Sequence, residues 1–174
     1  TAPVSGDDGW HSYTADHLAL LDHLGIERTH VMGACIGGPY CLGLMQTAPD
    51  RVTAGVLQQT IGLDNNREIF YKMFQAWADD IEGVHPEAND AAWQSFKSNM
   101  FDGDLDFNVG SEFVKSCSVP MLILMGDDAY HPQITSRTIA EIAPNAMLIE
   151  QWKAPEDDTV NKIVNFLTTN TPSA

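Results

Sequence analysis

Positive charge is scarce in this chain. Nine Lys and Arg stand against 24 Asp and Glu, a net charge of −15. So acidic a surface repels phosphate backbones and anionic lipid heads, which argues against nucleic acid or a membrane surface as a partner. Its plainest reading is solubility. Cysteine is also sparse: three residues, with no C-x-x-C pair. An odd count of that kind does not build a disulfide framework and points to a reducing, cytoplasmic setting. Cys41 and Cys117 flank or occupy apolar stretches and read as core thiols. No apolar run approaches the roughly 20 residues of a membrane span. A G-x-G-x-x-G turn, a phosphate loop and a histidine pair at metal spacing are all missing, so no cofactor and no metal is expected. Asp102-Gly103-Asp104-Leu105-Asp106 has the alternating carboxylates of a calcium loop. Phe107 stands where such a loop needs glycine and Phe113 where it needs glutamate, so a solvated acidic loop is expected instead.

Hydrophobic residues make up 44% of the 174, enough for one domain with a real core. Leu18, Leu21 and Leu24, with Ala15, predict a helix over Ser12–Leu24, capped by Ser12 or Thr14 and stopped by Gly25. Short apolar runs then alternate with helical patterns. Strands are expected at Thr29–Met32, Ala54–Gln58, Met121–Met125 and Ala146–Ile149. Helices are expected at about Gly37–Thr47, Pro132–Ala143 and Thr159–Leu167, with prolines marking ends and starts. This order predicts an α/β fold: a mostly parallel sheet flanked by helices. The alternation breaks over residues 61–113. Ile69, Phe70, Met73, Phe74 and Trp77 predict one helix there, and Glu87–Asn99 a second. That stretch reads either as a helical cap over the carboxyl ends of the strands, where ligands bind such sheets, or as a solvated helical excursion without function.

The most telling turn is Gly33-Ala34-Cys35-Ile36-Gly37-Gly38, placed between a strand and a helix. That context is what a nucleophile elbow requires: small residue, any residue, nucleophile, any residue, small residue. The apex is held in a strained backbone conformation, and its side chain projects beside the free N–H groups of a helix start. Small residues at Gly33 and Gly37 would avoid a clash with the apex, and Gly38 would allow close helix packing. Cys35 is thus the candidate nucleophile. The helix N-terminus would lower its pKa, and the Ile36 N–H would meet a developing oxyanion. The bland alternative is a small buried cysteine in a glycine-rich turn.

Several further segments resemble the α/β-hydrolase fold. Asp16-His17-Leu18 through Leu24-Gly25-Ile26, then His30-Val31-Met32-Gly33, is similar to the helix and strand before that family's elbow. Ala48-Pro49-Asp50-Arg51-Val52 is similar to its P-[DE]-R-V segment. Val119-Pro120-Met121-Leu122-Ile123-Leu124-Met125-Gly126, followed by Asp128-Ala129-Tyr130-His131-Pro132, is similar to the strand and loop that carry its catalytic acid. The resemblance implies a hydrolase or acyl transferase in which Cys35 attacks an ester, thioester or lactone carbonyl of a small molecule. It implies Asp128 as the acid, chosen over the adjacent Asp127 by its distance to Pro132; a helix-capping turn carboxylate is the other reading of Asp128.

Two departures qualify the resemblance. Where the family carries its histidine, after the last strand, this chain has Gln151-Trp152-Lys153-Ala154-Pro155. His131, three residues after Asp128, is the best-placed substitute base, or else only a loop residue before proline. The chain also opens at Thr1-Ala2-Pro3, just past where the family's first strands and second oxyanion donor should lie. The expectation is a piece of a larger domain, in which an N-terminal segment or a second copy covers the open edge of the Thr29–Met32 strand. A different class of reading keeps the fold and loses the chemistry: a non-catalytic binding or scaffold protein with a degraded triad. A third, an interaction module built on the acidic helical insertion, has only that insertion behind it.

Overall fold

The computed structural model describes residues 9–172. The described chain runs α1 (Gly9–His23), β1 (Thr29–Ala34), α2 (Gly37–Thr47), β2 (Val52–Gln58), α3 (Arg67–Ile81), α4 (Asp90–Phe101), α5 (Ser111–Ser116), β3 (Met121–Leu124), α6 (Gln133–Ile142), β4 (Ala146–Ile149) and α7 (Glu156–Thr169). Single turns of 3-10 helix occupy Pro49–Arg51 and Glu82–Val84. The four strands lie in the order β1-β2-β3-β4, all parallel. This is the expected α/β architecture.

The unbroken apolar run of β3 follows from burial on both faces. Met121 and Ile123 join one core with Leu42 and Met45 of α2, Val114 of α5 and Ile139 of α6. Leu122 and Leu124 point the other way and pack with Ala54, Val56 and Phe166 of α7. Successive strand residues alternate faces, so a strand covered on both sides must be apolar throughout. β1 differs. It pairs with β2 on one side, and among the described residues no strand lies on the other. Its Met32 is 52% exposed, as no β2 or β3 residue is. A groove of about 470 Å³ follows that free edge, lined by His17, Leu20, Met32, Gly37 and Tyr40 among others.

Most boundaries agree with the sequence expectations within three residues, and the differences have local causes. α1 is already helical at Gly9, the first described residue and three before Ser12; there Trp10 is buried against Tyr40 and the Gly9 N–H donates to Asn99 Oδ1 at 2.6 Å. Thr14 therefore sits inside the helix, where its hydroxyl donates back to the Trp10 carbonyl at 3.3 Å rather than capping. Gly25 ends the helix as expected, at φ +66°. α5 is too short to leave a periodic signal and was not expected. Cys41 and Cys117 are buried, as their apolar neighbours suggested.

The segment between β2 and β3 holds α3 and α4, whose apolar faces form an aromatic cluster. Phe70, Phe74, Phe101 and Phe107 are at most 5% exposed and pack with Trp10 of α1 and Ile61 after β2. The rings meet edge to face and stacked, Phe70 to Phe107 at 4.7 Å and Phe70 to Phe101 at 5.5 Å, within the range where aromatic pairs attract. The half-buried Cys35 packs against this cluster. The acidic loop after α4 is solvated at Asp102 and Asp104, as its composition suggested, but not at Asp106. Asp106 is fully buried, and its Oδ1 accepts the N–H of Asn108 at 3.2 Å and of Val109 at 2.9 Å.

Candidate functional site

β1 delivers Cys35 to the end of the sheet. The Cys35 N–H extends the β1–β2 pairing by donating to the Gln58 carbonyl at 3.0 Å. The chain then reverses: the Cys35 carbonyl accepts from Gly38 at 3.1 Å and from Ile61 at 3.3 Å. Holding that corner costs strain, since Cys35 has φ +56°, a conformation that disfavours any side chain.

The glycines around the apex do different jobs. A Cβ on Gly33 would lie 2.1 Å from the Gly37 carbonyl oxygen. That neighbour is backbone and cannot swing away, so Gly33→Ala should destabilise the fold by about 1–3 kcal/mol, measured by denaturant unfolding. A Cβ on Gly38 would lie 2.1 Å from Thr60 Oγ1, so Gly38 does let α2 close on the loop after β2. Gly37 meets nothing within 4 Å, and the expected clash there does not exist.

The thiol is not activated in the way its helix-start position suggested. Burial pushes the Cys35 pKa above its ordinary 9.0, and the Asp128 charge pushes in the same direction. The Ile36 N–H, hydrogen-bonded to the sulfur, pulls it down and loses. Desolvation outweighs a single backbone donor, so at neutral pH the resting group is a thiol and a base is needed to ionise it.

The structure brings Asp128 and His131 together on the loop after β3. His131 Nδ1 lies 2.8 Å from both carboxylate oxygens of Asp128. Asp128 Oδ1 also accepts the N–H groups of Tyr130 at 2.9 Å and His131 at 3.0 Å. Partial burial raises the Asp128 pKa, and these bonds more than offset it, so the carboxyl stays below its ordinary value and ionised. A carboxylate facing Nδ1 places the proton there and leaves the Nε2 lone pair free to accept. Nε2 is buried and has no hydrogen-bond partner, Cys35 included. The dyad is thus assembled, with its accepting nitrogen unpaired, and it influences Cys35 through charge rather than through a bond.

The adjacent carboxylates have separate partners. Asp127 pairs with Lys153 at 2.6 Å, across from the turn after β4, while Asp128 holds His131. The turn after β4, where the resemblance places a histidine, contains Trp152, whose indole N–H donates to the Met125 carbonyl at 2.8 Å. These bonds pin the turn after β4 to the end of β3.

No sequence signal marks Asn66. Its side chain donates to the Gly62 carbonyl at 3.0 Å and to the Ala129 carbonyl at 2.8 Å, joining the start of α3 to the Asp128 loop. Asparagine just before a helix reads only as a cap. Among the described residues, no group of three or more His, Cys, Asp or Glu side chains could hold a metal ion. No described helix is long and apolar enough to cross a membrane.

Known proteins share this fold. A solved serine hydrolase from Cycloclasticus zankles superposes with a TM-score of 0.67 at 20% identity, covering 98% of this chain and 74% of its own. The enol-lactonase of Burkholderia xenovorans LB400 gives 0.67 at 19%, covering 96% and 75%. A meta-cleavage product hydrolase from Pseudomonas fluorescens IP01 gives 0.62 at 21%, covering 98% and 74%. Likeness at such identities concerns the fold. In sequence, the chain is 33% identical over 87 residues to a homoserine O-acetyltransferase of Geotalea daltonii. That match covers 48% of this chain and 22% of the relative, so the chain spans about a fifth of that relative's length. The family model described as alpha/beta hydrolase fold matches residues 5–125, most of the chain. With its parallel sheet and its strand–turn–helix corner at Cys35, the chain belongs to the α/β-hydrolase fold family.

Proposed function

We propose that the chain is a hydrolase or acyl transferase that attacks an ester, thioester or lactone carbonyl of a small molecule through Cys35. The observation that carries this reading is a strained apex thiol that feels the charge of Asp128, whose partner His131 has its accepting nitrogen unpaired. In the reaction, His131 Nε2 takes the Cys35 proton, and the thiolate adds to the carbonyl carbon. The Ile36 N–H receives the oxyanion. On collapse, the leaving alkoxide or thiolate takes the proton back from His131, and a thioester to Cys35 remains. Water, or an acceptor alcohol or thiol, then resolves that thioester by the same proton relay. Asp128 stays ionised throughout and steadies the imidazolium. Catalytic hydrogen bonds are commonly long in a free enzyme and tighten on the substrate, so the unpaired Nε2 is compatible with this role.

The acetyltransferase relative and the lactonase-like fold support acyl chemistry as a class. Residues 61–113 would act as a cap, since their aromatic cluster packs on Cys35. The free edge of β1 is where an N-terminal segment or a second copy would pair. Three unpaired thiols fit a cytoplasmic setting.

The test combines labelling with turnover. Iodoacetamide should modify Cys35 well before Cys41 and Cys117, which are buried, and Cys41 carries a thiol pushed up to about 12 by burial. Modification of Cys35 should abolish hydrolysis of p-nitrophenyl esters and acyl-CoA thioesters in proportion. Because its pKa is raised, the labelling rate should still be climbing above pH 9. Equal labelling of the three thiols would count against the proposal, as would turnover that survives full modification of Cys35. The second reading, a non-catalytic binder, draws on the missing Cys35–His131 hydrogen bond and the protonated thiol. It predicts no turnover on the same substrates.

A further inference from the structure

The Asp128–His131 loop is held from two sides, and one of them is the segment between β2 and β3. Asn66 stands immediately before α3. Its amide oxygen accepts the Asp64 N–H at 2.8 Å, and its amide nitrogen donates to the carbonyls of Gly62 at 3.0 Å and Ala129 at 2.8 Å. Two carbonyls at one end and one N–H at the other leave a single orientation of the amide that satisfies all three. Ala129 follows Asp128 directly. One helical turn after Asn66, the Phe70 ring meets Tyr130 of the same loop edge to face at 5.4 Å. Phe70 is 1% exposed and fixed in the aromatic cluster that also touches Cys35.

We infer that Asn66 is a positioning residue: its side-chain amide ties the start of α3 to the loop that carries Asp128 and His131 and sets where His131 Nε2 stands relative to Cys35. The inference rests on the proposed roles of Cys35, His131 and Asp128. The physical reason is geometric. Asp128 is half-exposed and His131 nearly buried, so the dyad bridges solvent and core on a short irregular loop. Its internal bonds hold Asp128 to His131 but leave the pair free to move as a unit. The hydrogen bond from the Asn66 amide to the Ala129 carbonyl and the Phe70–Tyr130 contact remove that freedom. Since a proton relay requires its groups within hydrogen-bond reach, a shift of an ångström in the pair lowers the rate without loosening substrate binding.

The test uses the whole chain with p-nitrophenyl acetate as substrate and two variants. Asn66→Ala removes both donor bonds. Asn66→Asp keeps the shape and the acceptor for Asp64, and turns a carboxylate oxygen toward two carbonyls. Each variant is measured for kcat per reactive Cys35, for KM, for melting temperature and for the ¹⁵N shifts of the His131 ring. The expected result in both is a tenfold or greater fall in kcat, KM within threefold of wild type, and altered His131 ring shifts. A lower melting temperature with kcat per reactive Cys35 and ring shifts unchanged would show a merely structural residue and overturn the inference. If wild type itself turns nothing over, the proposed activity fails, and the ring shifts alone decide the clamp: moved shifts keep it, unmoved shifts overturn it. If one variant does not fold, the other decides on the same criteria.

Discussion

Cys35→Ala should reduce kcat/KM on an activated ester by about a thousandfold or more, and His131→Ala by nearly as much, with the fold retained in both. In the proposed mechanism the magnitudes converge because the two groups perform one step. Burial keeps the Cys35 thiol protonated at neutral pH, so without a base the nucleophile is scarce; without the sulfur, the base has nothing to ionise. Residues that act as a unit are not additive, and the double variant should be little worse than either single one. Asp128→Asn should fall between them and wild type. It keeps one acceptor for the backbone N–H groups of Tyr130 and His131 but removes the charge that holds the Nδ1 proton. Circular dichroism and melting temperature check the fold, and stopped-flow release of p-nitrophenol checks the rate. A Cys35→Ala protein with wild-type turnover would refute the nucleophile assignment. An inactive Cys35→Ala beside a fully active His131→Ala would mean that the base is another group.

The elements that carried the strongest periodic or punctuating signals were legible in the sequence. β3 is a short apolar run bounded by Pro120 and Gly126, and α2 is bracketed by glycines and Pro49, so both were found within a residue. The turn at Cys35 was legible because a sharp strand-to-helix corner tolerates few residue types, and Gly33 meets that requirement at 2.1 Å. Less visible were the properties that depend on what packs against a residue. The sign of the Cys35 pKa shift differs from the expectation because a helix start is visible in a sequence and desolvation is not. The separate partners of Asp127 and Asp128 have no local pattern, because Asp127 pairs with Lys153 from a turn 26 residues away while Asp128 holds His131. Asn66 gave no signal at all, since a helix cap and a loop clamp call for the same residue type.

Asp106 should make the fold lose stability as pH rises from about 4 to about 7. Burial pushes its carboxyl up to about 7, against the pull of the N–H groups of Val109 and Asn108. In the unfolded chain the same group titrates at about 3.9. Below about 4 both states hold the proton and the group has no effect on stability. Between the two values the folded state keeps a proton that the unfolded state has released, so each rise in pH favours unfolding. Above about 7 both are ionised and the penalty levels off, on the order of 4 kcal/mol for a difference of about three units. The structure shows where the cost arises: Oδ2 is buried with no partner, in a loop held by Arg67 on the carbonyls of Phe101 and Gly103 and by Asn108 on that of Pro39. Such a loop cannot open to hydrate one oxygen without giving up those bonds. Asp106→Asn retains an acceptor for the two N–H groups and cannot ionise. It should therefore gain stability over wild type by on the order of 2–4 kcal/mol more at pH 8 than at pH 4. Urea unfolding of both proteins at the two pH values measures that difference directly. Equal effects at both would show that Asp106 is solvated or paired in the folded protein, and the loop would then be the open acidic turn that its composition suggested.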